Sequence, residues 1–467
     1  MLKNKKVFYI FFIILCEIIF LGVSLPIYPD DYWWHVKIGE WITNNFSLNI
    51  PQNLSWLSTE IELNWINHSW LCEILLFGLK TIFNDYGTIV YMMFFNLLSY
   101  GIIYFTIKNK LENNQTFFTL FTFFYFVVFQ FLLAPRPYIL GFLFLLILIY
   151  NLENIKNNNK YNIWILIITF ILWTNCHGGS IILAILFSMY YLAFSLVNIK
   201  TKYITIKKQQ NEQIKKYLIT TIASIICSFV NPYTYKTIFY ILKGDVTTSY
   251  IPEWKSIFEF NQPFYYIIVF GALILALIKF KKNDISNTLI ICGLCILSCI
   301  HMRYVEYLII LFPIYLMHCY KFEIKKVFIK KIGIFTTFLF SIIAIMLLSE
   351  NKDILIRPVP SEMLEEIKDS KKIFNDYDFG GYLIYNEIPV FWDSRADLYV
   401  DSGILMKSFM FEENDLESSQ MYEFLEKYQF EYIIIKKDRG LNDYLKSVEN
   451  YEKIMEKENA ILYERIN

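Results

Sequence analysis

Adjacent carboxylates at Asp30 and Asp31, followed by Tyr32-Trp33-Trp34-His35, are well suited to proton transfer. Two carboxylates side by side repel, which lifts one towards the range of a working general base, and the pair can also ligate a divalent cation such as Mg or Mn. Asp here serves equally well as the cap of a following helix. Residues 1–350 hold 28 Lys+Arg, yet only Arg136 and Arg303 among them are arginines. A guanidinium forks onto phosphate oxygens as an ammonium cannot, so both are candidate phosphate ligands. The plainer alternative is that each snorkels to an interface or pairs with a neighbour such as Glu306.

Four further groups carry polar chemistry. His35, His68, His177 and His301 are candidate acid–base or hydrogen-bonding groups, although an interfacial histidine is more often structural. In His177-Gly178-Gly179 the glycines break a helix and let a bulky head group approach the backbone. Glu253-Trp254 sets a carboxylate beside a ring, a pairing used in sugar sites and also common in membrane-interface belts. Asp378 in Asn375-Asp376-Tyr377-Asp378-Phe379-Gly380-Gly381-Tyr382, and Asp393 and Arg395 in Trp392-Asp393-Ser394-Arg395, each follow a predicted strand, where α/β domains place ligands.

The elements that must position these residues are mostly apolar. The 467 residues are 56% hydrophobic and 19% aromatic, which excludes an ordinary soluble globule, and nothing in the charge pattern calls for nucleic acid. Zero net charge conceals an asymmetry: residues 1–350 carry 28 Lys+Arg against 18 Asp+Glu, whereas residues 351–467 carry 15 against 25. The expected fold is mainly α, a polytopic helical membrane domain over 1–350 with an interfacial outer loop at 28–84, then an extracytoplasmic α/β domain over 351–467. About eleven spans are predicted, near 7–27, 86–107, 116–133, 137–153, 161–176, 178–198, 217–230, 263–280, 287–301, 303–320 and 332–349.

Lysine-rich connections alternate with lysine-poor ones. Under the positive-inside rule this makes an integral plasma-membrane protein with its N-terminus cytoplasmic, and it sends all the candidate motifs to the outer face. Residues 69–84, which include Glu73 and Lys80, read as a surface-lying amphipathic helix rather than a span, and 34–42 as a second one. All eight cysteines lie in apolar stretches, so no disulfide framework is expected. Cys292, Cys295 and Cys299 share helical spacing but read as packing residues rather than metal ligands. In the C-terminal domain, 372–375, 389–392 and 432–435 read as strands of a largely parallel sheet, 417–428 as a helix, and 451–456 with 460–465 as a hairpin.

With these motifs the chain resembles the GT-C superfamily of polytopic glycosyltransferases, which use polyprenyl-phosphate-linked sugars at the outer leaflet. The likeness is to the protein O-mannosyltransferase and aminoarabinose-transferase type. It rests on an acidic motif after the first span, two interfacial helices, His68-Ser69-Trp70-Leu71 opening the second, and Arg136-Pro137-Tyr138 after a later span. The chain also resembles a widespread group of uncharacterised bacterial membrane proteins with Asp-x-Trp-Trp-His near the start and Asp-Tyr-Asp-x-Gly-Gly-Tyr-Leu near the end. Here Asp31 to His35 and Asp376 to Leu383 match them. Tyr377-Asp378-Phe379-Gly380 is similar to part of the Trp-Trp-Asp-Tyr-Gly motif of oligosaccharyltransferase catalytic subunits, without the paired tryptophans.

These resemblances imply an inverting glycosyltransferase of the hexosyltransferase type. It would move a sugar from a polyprenyl-phosphate lipid to a hydroxyl of a glycan, lipid or protein acceptor, with no cofactor required and a divalent cation optional at Asp30 and Asp31. Asp31, assisted by Asp30 and His35, would be catalytic. Arg136, Arg303, His177, His301, His68, Glu253, Trp254, Asp378, Asp393 and Arg395 would bind substrate. Rival readings are a flippase or transporter of lipid-linked glycans, whose charged residues should occur at several depths, and an inactive scaffold of the same fold.

Overall fold

The computed structural model describes residues 13–17, 31–51, 54–111, 122, 125, 134–202, 204–243, 250–260, 262–278, 285–319, 355–400 and 402–466. In chain order the longer described elements begin with α1 (Tyr32–Asn45), α2 (Trp70–Phe83), α3 (Tyr86–Leu111), α4 (Tyr138–Lys156), α5 (Ile163–Cys176) and α6 (Ile181–Leu196). A two-stranded ribbon, β1 (Ile199–Lys200) and β2 (Thr205–Ile206), follows, and then α7 (Asn211–Ser228), α8 (Pro263–Ile278), α9 (Ile285–Ile300) and α10 (Tyr304–Cys319). The C-terminal part contains β3 (Ile373–Asn375), α11 (Gly380–Tyr385), α12 (Ile404–Glu412), α13 (Ser418–Tyr428), β4 (Tyr432–Lys436), β5 (Tyr451–Lys457) and β6 (Ala460–Arg465). Contacts divide the chain into two compact units. One draws on Met1–Ile27, Thr88–Thr234 and Ile251–Ile354, the other on Tyr28–Gly87, Tyr235–Tyr250 and Leu355–Asn467.

The first unit is a helical bundle built around α4, which packs against α5, α6, α7 and α10 and is buried along nearly its whole length. Its polarity is arranged for lipid. Along α7 the buried side is Tyr217, Thr220, Thr221, Ser224, Cys227 and Ser228, while Leu218, Ile219, Ile222, Ile225 and Ile226 face outward. Small and hydroxyl-bearing residues inside, where they hydrogen-bond and let backbones approach, with large apolar residues outside, are what a hydrocarbon surrounding selects. Ile267, Ile274, Leu277 and Ile278 on α8 and Trp164, Ile165 and Ile168 on α5 continue the outward apolar surface. This is a membrane protein. Among the described residues Tyr86–Ile107, Tyr138–Lys156 and Gly178–Leu196 are long and apolar enough to cross a bilayer. Ile163–Cys176, Pro263–Ile278, Ile285–Ile300 and Tyr304–Tyr315 are shorter apolar helices. The predicted span 332–349, and most of 116–133 and of 7–27, lie outside the described residues.

The second unit joins the long first loop to the C-terminal residues. α1 packs along α2 and against α11. The approach of α1 to α2 is so close that a Cβ at Gly39 would fall on the Glu73 carbonyl, and only glycine fits there. The sheet has the order β3-β4-β6-β5. Only β3 and β4 run parallel, while β4–β6 and β5–β6 are antiparallel, so the expected largely parallel sheet is corrected to a mixed one. The terminal hairpin, predicted at nearly its observed bounds, is the reason: a tight turn returns the chain antiparallel to itself.

The predicted strand at 389–392 is also corrected. Val390 makes an isolated parallel bridge to Ser55, with Trp56 N–H donating to Val390 O (2.9 Å) and Val390 N–H to Leu54 O (3.2 Å). First-loop backbone takes the hydrogen bonds a sheet neighbour would have taken. Beneath this seam Phe374, Phe391, Trp392, Phe411, Phe424 and Phe430 form an aromatic core.

Candidate functional site

In the helical unit five of the residues singled out from sequence come together. Arg136 stands just before α4, and its backbone carbonyl accepts from the Tyr91 hydroxyl (3.0 Å). Arg303 stands just before α10. Between the two guanidiniums lies the part-exposed Glu253 carboxylate, 4.0 Å from Arg136 Nη1 through one oxygen and 3.9 Å from Arg303 Nη1 through the other. The segment carrying Glu253 is tied to the α9–α10 turn, because Met302 N–H donates to Lys255 O (2.8 Å) and Arg303 N–H to Glu253 O (3.0 Å). His301 Nδ1 donates to Trp254 O (2.7 Å), which leaves Nε2 as the ring's other hydrogen-bonding atom. The Trp254 ring lies 5.1 Å beneath the Arg303 guanidinium, a cation–π contact that fixes the plane of the fork.

At nearly 4 Å the two ion pairs are long for charge-assisted hydrogen bonds. Arg303 takes Glu253 as its ion-pair partner, not Glu306 in the first turn of α10. His177 has a structural setting: its ring is buried, Nδ1 lies 2.7 Å from Ser180 Oγ, and Ser180 Oγ accepts from Trp173 Nε1 at 2.7 Å. Gly141 makes room for it, since a Cβ there would come within 2.6 Å of His177 Nδ1.

In the second unit Asp31 occupies the N-cap position of α1. Its backbone carbonyl accepts from His35 N–H (3.2 Å), but its side chain makes no capping hydrogen bond, so capping does not account for the carboxylate. Asp30 lies outside the described residues. His35 is buried between α1 and α2 with Nδ1 3.1 Å from Glu73 Oε1, and Asn67 Nδ2 donates to Glu73 Oε2 (2.5 Å). That places His35 as a strut of the α1–α2 interface. Its Glu73 partner was legible only as an unexpected charge in an apolar helix.

His68 Nε2 stands 3.7 Å from Asp397 Oδ2, which also accepts from Trp65 Nε1 (3.2 Å). Burial alone would raise the Asp397 carboxyl, but the hydrogen bonds and charge of His68 and the Trp65 indole hold it below the usual range. In sequence Asp397 ends the motif that begins at Trp392, without being singled out as a site residue. Asp393 and Arg395 face each other in a closed pair (Nε to Oδ1 2.7 Å, Nη2 to Oδ2 2.6 Å), to which the Tyr399 hydroxyl adds a donor at 2.8 Å. Both are buried, and Arg395 stacks on Trp65 at 5.1 Å. The Trp34 indole donates to Ser394 Oγ (3.0 Å), so this loop is clamped to the first-loop segment.

Asp378 pairs with Lys436 and lies 3.4 Å from Arg439 Nη2. Arg439, another residue the sequence left unmarked, also holds Asp376 (2.8 and 3.1 Å), Glu412 (3.0 Å) and Glu413 (2.6 Å). The Asp376-Tyr377-Asp378 motif therefore meets its own counter-ions within the domain. Among the described residues no group of three or more His, Cys, Asp and Glu is placed to hold a metal ion.

No protein-family model matches the chain, and no curated protein matches it in sequence. Solved structures do. The oligosaccharyltransferase of Archaeoglobus fulgidus in its apo form is similar at 11% identity and a TM-score of 0.53, over 91% of this chain and 69% of that one. The archaeal oligosaccharyltransferase AglB from the same organism, in complex with an inhibitory peptide and a dolichol-phosphate, is similar at 11% identity and a TM-score of 0.54 over 93% and 70%. The form tethered to an acceptor peptide containing the NVT sequon gives 11% and 0.53. The helical bundle with its small sheet domain thus shares the fold of these archaeal oligosaccharyltransferase structures.

Proposed function

We propose that the protein transfers a sugar from a polyprenyl-phosphate-linked donor to an acceptor hydroxyl on the extracytoplasmic side of the plasma membrane. The observation that carries this reading is the Arg136–Glu253–Arg303 cluster. Two guanidiniums on separate elements flank one part-exposed carboxylate at 4.0 and 3.9 Å, in a unit whose outer surface is apolar. A lipid phosphate leaving group needs such donors where its charge develops, and fixed guanidiniums stabilise that charge without reorganising. Glu253 would accept sugar hydroxyls and Trp254 would offer a ring face to C–H groups. The similar oligosaccharyltransferase structure that holds a dolichol-phosphate supports a lipid-linked donor. Asp31 is the proposed base.

The test is transfer from a radiolabelled polyprenyl-phosphate sugar by the full chain in proteoliposomes. Arg303→Lys retains the charge and loses the fork, so it should lower turnover about tenfold or more, and Asp31→Asn by about a hundredfold. Lys208→Ala should match the wild type. Wild-type turnover in all three would overturn the assignment.

A further inference from the structure

A second site lies at the other end of the bundle. α4 runs from the arginine cluster at its N-terminus to Lys156 at its C-terminus, and its 19 residues span about 28 Å. α9 runs the opposite way, ending one residue before His301 and beginning beside Asn287. Lys156 and Asn287 meet at the far end, where Lys156 Nζ donates to Asn287 Oδ1 (3.1 Å). They line a cavity of about 270 Å³, walled by Tyr190, Tyr191 and Phe194 of α6, Tyr217 of α7, and the ribbon residues up to Lys207.

Several polar groups around this cavity are already committed. The Tyr190 hydroxyl already donates to Ser286 O (2.7 Å), the Tyr191 hydroxyl to Glu153 (2.7 Å) and the Tyr217 hydroxyl to Leu152 O (3.2 Å). Glu153, the anionic neighbour, faces Lys156 at 3.9 Å as well as Tyr191. Asn287 is 1% exposed, yet among the described residues its Nδ2 has no hydrogen-bond partner. A buried amide left with two unused donors costs free energy unless a ligand accepts from it. Lys156 has donors beyond those given to Asn287 and Glu153, and Lys207 brings a second ammonium to the rim.

We infer that this cavity binds a phosphate-bearing anion: Asn287 Nδ2 and the Lys156 and Lys207 ammoniums receive its oxygens, and the Tyr190, Phe194 and Ile290 wall receives an apolar remainder. The size suits a phosphate with a short organic stem. The apolar wall at the lysine-bearing end of a lipid-facing bundle matches the head group of an anionic phospholipid, and free phosphate shares the same oxyanion chemistry. The inference does not rest on the transfer reaction, because the cavity and the arginine cluster share no residue.

The test is a thermal melt of the purified full chain in neutral detergent, titrated with phosphatidylglycerol, phosphatidylcholine or inorganic phosphate. Phosphatidylglycerol should raise Tm saturably while phosphatidylcholine does not. A rise with inorganic phosphate as well identifies the phosphate oxygens alone as sufficient, and a rise with phosphatidylglycerol only identifies the lipid. Lys207→Ala should weaken the apparent affinity about tenfold, the loss of one charge-assisted hydrogen bond. Asn287→Asp keeps the shape, puts a carboxylate in place of the amide and should abolish the effect. Lys215→Ala, an exposed lysine outside the cavity, should leave it intact. Identical titrations for phosphatidylglycerol and phosphatidylcholine with no response to phosphate, or full response in Lys207→Ala and Asn287→Asp, would overturn the inference.

Discussion

The Glu412→Gln variant examines the charge network beneath the Asp376-Tyr377-Asp378 motif. Glu412 is buried, and one of its oxygens has no hydrogen-bond partner. Burial first, and then the charge of Asp376, push its carboxyl well above the ordinary value. Asp376 moves the other way. Burial would raise it, but the Arg439 guanidinium at 2.8 and 3.1 Å holds it below the usual carboxylate range.

For Glu412 the folded pKa exceeds the unfolded one, so its contribution to stability is complete below pH about 4 and is lost as pH rises towards the folded value. Over that window the loss is about 1.4 kcal/mol per pH unit for one proton retained by the fold and released by the unfolded chain. In a unit of this size that is about 3 °C of Tm per pH unit. Asp376 has the opposite sign: its stabilisation is present above its unfolded pKa and is lost only in more acid solution, outside a pH 5 to 8 scan. Gln at 412 retains an acceptor for Arg439 and a donor towards Asp376, and it has no proton to lose. The variant's Tm should gain on the wild type's as pH rises from 5, by up to about 3 °C per unit until the folded carboxyl itself ionises. Intrinsic fluorescence of the full chain follows the transition, since Trp33, Trp34, Trp56, Trp65 and Trp392 all lie in this unit. Parallel pH profiles for variant and wild type would show that Glu412 is ionised in the fold and refute the argument.

Other substitutions probe separate features. Arg395→Ala leaves Asp393 buried without its bidentate partner and should cost about 3–5 kcal/mol, read as a fall in chemical-denaturation midpoint, whereas Arg395→Lys should recover only part. Gly39→Ala drives a methyl group into the Glu73 carbonyl and should destabilise by about 3 kcal/mol or more, seen as increased proteolysis of the α1–α2 segment. Trp254→Leu removes the ring beneath Arg303 while keeping an apolar side chain. It should raise KM for the lipid-linked donor by about threefold to tenfold with protein abundance unchanged.

Much of the architecture was legible because it follows from local pattern. The retained hairpin, the helix at Ser418–Tyr428 and the run of apolar helices each express a period or a turn that needs no distant partner. Two arginines in a lysine-rich domain stood out by type, and the structure brings both to Glu253. The strand expected at 389–392 failed because its partner comes from residues 54–56, more than three hundred positions away, and periodicity carries no information about who supplies a hydrogen bond. His35 was singled out because it shares a loop with the aspartates, and His177 because two glycines follow it. Burial is a property of the surrounding helices, and there each ring already has a partner.

Composition and charge pattern alone determined that most of this chain is an apolar helical bundle with an acidic, mixed domain attached, because hydrophobic length and lysine distribution are properties of the chain itself. Only the tertiary structure decided which polar groups are neutralised. Asp393, Asp376 and Glu73 look on paper as available as Glu253. Each is closed off by Arg395, Arg439, or His35 with Asn67, because a charge brought out of water must find its counterpart within a few ångströms, and the fold alone sets those distances.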